Sequence, residues 1–136
     1  MKLYRGDASS NFEVKNIPSR YGFKALFFTN NLQVSRMYAH HLAHEKRNWK
    51  GGAVYEFNIP EPSKIIDFKD EVTHSRIFRN LIFDLHKQEV NSALITNCFD
   101  YPKLTENITI LSSDIVVVFD FELINDYKLI ESNVIL

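Results

Sequence analysis

The chain has 136 residues, 45% of them hydrophobic and 13% aromatic, with 11 Phe and 6 Tyr; a single folded domain over 1–136 is expected, and the composition is far from that of a disordered chain. Sixteen basic residues face seventeen acidic ones for a formal net charge of -1, so no global field draws the protein to nucleic acid or anionic lipid. The one cysteine, Cys98, excludes an intrachain disulfide and a C-x-x-C metal site, and no stretch approaches the ~20 apolar residues of a membrane span, so a reducing, cytoplasmic setting without a membrane partner is expected.

Lys2 to Arg5 reads as a short first strand that turns at Gly6. After an irregular stretch through Pro18 and Gly22, Lys24 to Phe28 is a second buried strand ending at Thr29. Thr29, Asn30 and Asn31 are helix-capping side chains, and Gln33 stands three residues after Asn30, the spacing of a capping box. The helix that follows buries Val34, Met37, Tyr38, His41 and Leu42 at i, i+3, i+4 spacing and stops by Gly51-Gly52. His40, His41 and His44 make zinc a candidate, without an H-E-x-x-H signature to supply the remaining ligands. Lys46, Arg47, Trp49 and Lys50 are the one dense basic patch; basic residues in a last helical turn complement the helix dipole, and that reading is favoured over a nucleic-acid site.

Ala53 to Ile59 alternates as a half-buried strand closed by Pro60, and Lys64 to Phe68 is another short strand. Ser75 caps a helix whose Ile77, Phe78, Leu81, Ile82 and Leu85 follow helical spacing. Ala93 to Thr96, Ile108 to Leu111 and Ile115 to Phe119 are strands, the last an unbroken apolar run suited to a central position. Asp120 to Asn125 turns into a final edge strand over Tyr127 to Ile130. Strands, two inserted helices and strands again define an α+β class, and no G-x-G-x-x-G or P-loop is present. Cys98, without a motif-linked histidine, reads as a small buried apolar residue. Solvated strand faces account for Glu56 and Asp67 better than a glycosidase-like carboxylate pair does.

Five segments carry a resemblance in their order. They are Leu3-Tyr4-Arg5-Gly6; Leu26-Phe27-Phe28-Thr29 leading into a helix with Tyr38-Ala39; Val54-Tyr55-Glu56-Phe57; Asn97-Cys98-Phe99-Asp100; and Val117-Val118-Phe119-Asp120 followed by Leu123-Ile124. Together they resemble the small bacterial and phage ADP-ribosyltransferase-like domains over nearly the whole chain. The resemblance implies a split β-sheet core of about six to eight strands with two main helices. It also implies NAD as the substrate, held in a cleft between two small sheets, whose nicotinamide glycosidic bond breaks through an oxocarbenium-like transition state.

On that likeness Arg5 contacts the diphosphate and ribose, Gly6 lets the nicotinamide amide approach the backbone, and Tyr4 and Phe28 line the same cofactor site. Thr29 positions ribose or the acid, and Tyr38 packs on nicotinamide. The third motif departs from the family, which places a Glu here. Asp100 is then the catalytic acid with Asn97 as a hydrogen-bonding partner, or Glu106 reaches in, or the site binds NAD or a partner without transfer. The implied function is ADP-ribosylation of a macromolecular target, a protein in preference to nucleic acid, with NAD hydrolysis as a related option. The alternative is a non-catalytic inhibitor of a host or defence factor. A Lys-, Asn-, Ile- and Phe-rich composition points to a phage or mobile element and hence to a host cytoplasm.

Overall fold

A computed structural model describes residues 1–14, 20–102 and 110–136. Seven strands and two helices follow one another as β1 (Lys2–Asp7), β2 (Leu26–Thr29), α1 (Leu32–Glu45), β3 (Gly52–Asn58), β4 (Lys64–Val72), α2 (Arg76–Lys87), β5 (Ser92–Asp100), β6 (Leu111–Val118) and β7 (Tyr127–Val134). This is the expected α+β class with the expected number of helices. Among the described residues no helix is long and apolar enough to cross a membrane.

Several boundaries differ from the sequence reading for physical reasons. Gly6 lies inside β1, where its missing side chain accommodates α1; a Cβ there would stand 2.0 Å from the Ser35 carbonyl oxygen and 2.6 Å from the Ala39 nitrogen. The cap of α1 is Asn31, whose side chain accepts from the Gln33 and Val34 amides, so the Asn30 capping box does not form. β5 runs on past Thr96 because a register shift between Ile95 and Cys98, with Asn97 at φ 57°, absorbs one residue. The runs expected at Ile108–Leu111 and Ile115–Phe119 meet in β6 from Leu111 onward; Ile108, Glu106 and Pro18 lie outside the described residues.

The strands form one sheet in the order β4-β5-β6-β2-β1-β3-β7, with β4 and β5 parallel and every other pair antiparallel. Pairing is uneven. β1 matches β3 from Lys2↔Asn58 to Asp7↔Ala53, and β2 matches β6 from Leu26↔Val118 to Thr29↔Ile115. β1 and β2 meet at Tyr4↔Thr29 alone. The sheet is therefore split along a seam, with β4-β5-β6-β2 on one side and β1-β3-β7 on the other.

Both helices cover the same face. α1 lies on β1 and β3, with Ala39 packed among Val54, Val134 and Tyr4. α2 is anchored by the Ser75 cap and buries Phe78, Ile82 and Leu85 against Ala93, Ile95, Ile115 and Val117. Alternation along the strands sends Leu3, Leu26, Phe28, Tyr55, Phe57, Val116 and Val118 to the opposite face, where Phe12 and Ile124 close the second core.

Candidate functional site

The residues that the resemblance selects gather around the seam, but on two sides of it. On β1, Tyr4 and Gly6 turn toward α1, so Arg5 between them turns to the other face. Its guanidinium carbon lies 5.7 Å from the centre of the Phe12 ring, and Nη1 donates to the Phe27 carbonyl at 3.2 Å, a bond that ties β1 to β2 across the seam. Nε is buried without a hydrogen-bond partner among the described residues. Burial holds the Arg5 pKa below its ordinary value, opposed by Asp7 and reinforced by Arg20.

On the α1 face a second tie crosses the seam. Tyr38 projects from α1 and donates its hydroxyl to Asp100 Oδ1 at 2.7 Å; the Tyr101 carbonyl is 3.0 Å away. Thr73 Oγ1 donates to the same Asp100 oxygen at 2.9 Å, and Thr73 itself is pinned by its amide on the Phe99 carbonyl. His74 Nε2 stands 3.1 Å from the Tyr38 hydroxyl and against the Tyr101 carbonyl. A carbonyl only accepts, so Nε2 is the protonated nitrogen of that ring. Asp100 is 5% exposed. Desolvation pushes its carboxyl above the ordinary value, while the bonds from Tyr38 and Thr73 and the nearby His74 pull the other way. The Tyr38 hydroxyl is raised by its own burial and then by the Asp100 charge.

The structure thus joins Tyr38 to Asp100 and sets Arg5 apart from both, on the reverse of the sheet. Asn97 does not join them either: its exposed side chain donates to Asp67 Oδ1 at 3.0 Å, and its amide donates to Asp114. Thr29 is buried, and its hydroxyl accepts the Asn31 amide at 3.0 Å, a turn-forming role at the entry to α1. Phe28 is buried against Phe57, with ring centres 4.6 Å apart. α1 fills the space over Gly6. Glu56 binds Lys2 and Lys128 on β3, while Asp67 lies on the edge strand β4, so these carboxylates form no pair.

Thr73, His74 and Asp114 are not reached by sequence reasoning, because no spacing rule connects positions 38, 73 and 100, or 97 and 114. Asp114 precedes Ile115, which packs beneath α2, so alternation turns it toward the face that carries Arg5. It accepts from the Asn97 amide at 3.3 Å and from Asn30 Nδ2 at 3.4 Å. At the far end of α1, the His44 and Trp49 rings meet at 5.1 Å, and no group of three or more metal-ligating side chains occurs among the described residues. No family model, curated protein or solved structure matches this chain.

Proposed function

We propose that this chain is an ADP-ribosyltransferase-like domain that acts by binding a protein partner and does not transfer ADP-ribose. One observation carries the reading: Arg5 and Asp100 lie on opposite faces of the sheet, and the Asp100 carboxylate already accepts from both Tyr38 and Thr73. Stabilising an oxocarbenium requires a carboxylate on the same side as the group that holds the dinucleotide. This pair does not meet that requirement. The test is incubation with NAD, following nicotinamide release and the mass of candidate targets. No release and no mass gain are expected, together with unchanged partner affinity in an Arg5→Met/Asp100→Asn double variant. Nicotinamide release that disappears in Asp100→Asn with the fold intact would overturn it.

A second reading, NAD-dependent transfer, is favoured by Arg5 Nε, a buried donor beside an aromatic ring with no partner among the described residues. It relocates the acid to Asp114, which shares the Arg5 face; β6 is two strands from β1, roughly 10 Å. That version predicts nicotinamide release lost in Asp114→Asn and kept in Asp100→Asn.

A further inference from the structure

Helix-dipole complementation does not account for the basic residues after α1. The helix ends at Glu45, so Lys46 is its cap, Arg47 and Lys50 lie beyond it, and the only basic side chain in the last turn is His44. The terminal carbonyls need no cation, because backbone amides reach them: Lys46 donates to Leu42 and Arg47 to His44 at 3.0 Å, and Asn48 to Ala43 at 2.8 Å. Lys46, Arg47 and Lys50 are exposed, and none of them enters an ion pair among the described residues. Glu45, the only acidic residue between positions 40 and 52, stands 3.3 Å from His41 Nε2. Trp49 lies among these cations and is 66% exposed, more than any other large hydrophobic residue described. Its turn is nonetheless anchored. Asn48 Nδ2 donates to the Ala8 carbonyl at 2.8 Å and to the Gly51 carbonyl at 2.9 Å, and the Gly51 amide bonds back to the Asn48 carbonyl. Gly51, at φ 100°, packs so closely on the end of β7 that a Cβ would stand 2.6 Å from the Asn133 carbonyl carbon. Beside the indole opens a hollow of about 100 Å³ bordered by His40, His44 and Ile135. A large ring held in water by an anchored turn is a preformed contact, since a ligand that meets it has no loop to order.

We infer that this turn is a binding site for single-stranded nucleic acid, with Trp49 as the platform on which one base stacks and Lys46, Arg47 and Lys50 on the flanking phosphates. Charge and ring chemistry together decide the occupant. Cations without counter-charge around an exposed indole match a chain that alternates phosphates with flat π faces. A duplex keeps those faces stacked inward, and an acidic peptide brings the charge without the rings. An anionic membrane takes a plane of several apolar side chains, whereas here one indole stands at the rim of a hollow. The net charge of the whole chain is -1, so the attraction is confined to this turn and the contact is short and sensitive to salt.

The chain has one tryptophan, so its emission reports on this turn alone. Titration with oligothymidylate or oligouridylate of about twelve nucleotides at about 20 mM salt is expected to quench that emission. The logarithm of Kd should rise with the logarithm of salt concentration at a slope of about 2, or about 0.7 for each of three phosphate contacts. Lys46→Gln, Arg47→Gln and Lys50→Gln should each lower that slope by about 0.7. Followed through the anisotropy of a labelled strand, Trp49→Ala should weaken binding about tenfold, and Trp49→Phe, which keeps a smaller ring, by less. Melting curves of the same samples, expected to match the parent's, separate these effects from loss of folding. Absence of quenching, binding indifferent to salt or to both Trp49 variants, or equal affinity for a duplex, polyglutamate or phosphatidylserine vesicles overturns the inference. None of these readouts involves NAD or a protein partner, so this inference and the binding reading above fail separately.

Discussion

Tyr38 and Thr73 share one oxygen of a carboxylate that water scarcely reaches, so the protonation of Asp100 is coupled to folding. Its folded pKa is raised above the ordinary 3.8. The contribution from this group is therefore fully present below that value and is lost as pH rises through the folded pKa. Urea midpoints measured at steps from acid to neutral pH should show Asp100→Asn gaining on the parent protein as pH rises. A constant difference across that range would place the titration elsewhere. Cys98 is 0% exposed, and burial, followed by Asp100, Asp114 and Asp67, pushes its thiol up to about 12. A thiol held protonated in the core is a poor nucleophile. Iodoacetamide at about pH 8 should leave it unmodified in the folded protein and label it at the rate of unfolding, as followed by mass spectrometry.

At the scale of elements, α1 sits unusually close to the sheet. Gly6 touches its backbone at Ser35 and Ala39, and a Cβ at Gly52 would stand 2.2 Å from the Ala39 carbonyl oxygen. Backbone atoms cannot swing aside as a side chain does, so Gly6→Ala should cost at least the ~1–3 kcal/mol typical of overpacking, read as a lowered melting temperature. α2 was legible in the sequence, since its cap and its apolar spacing are local signals, although Ile77 is 59% exposed and only Phe78, Ile82 and Leu85 are buried. α1 was legible as an element, but Asn31 caps it because Asn30 engages Asp114, and its buried face is Val34, Ser35, Met37, Ala39 and Ala43, with the expected Tyr38, His41 and Leu42 only half-buried. Gly6 was misread as a turn since its neighbour is a helix some 30 positions later, and sequence spacing carries no record of that approach. The same holds for the site. Local motifs picked out Tyr38 and Asp100 one at a time, but their hydrogen bond spans 62 positions, and the side of the sheet taken by Asp100 depends on the extra residue absorbed at Asn97.

For the whole molecule, the seam between β1 and β2, with one pair of facing residues, is the thinnest joint in the sheet. Arg5 crosses it on one face and Tyr38 on the other. Replacing Arg5 by Met removes one neutral-acceptor hydrogen bond together with an uncompensated buried donor, so global stability should change by no more than about 1 kcal/mol. Amide exchange at Tyr4 and Thr29 should quicken nonetheless, because local opening no longer breaks that tie. Exchange rates equal to those of the parent at both positions would show that the guanidinium does not brace the joint.

The path of the chain limits how far such an opening can go. β1 lies on one side, β2 on the other, α1 and β3 return, β4 through β6 cross back, and β7 returns again, four passages in all. Two blocks laced this way cannot drift apart like tethered domains or be expressed as separable fragments. Their permitted relative motion is a small swivel about the lacing, and any molecule wedged into the joint would have to be accommodated within that angle.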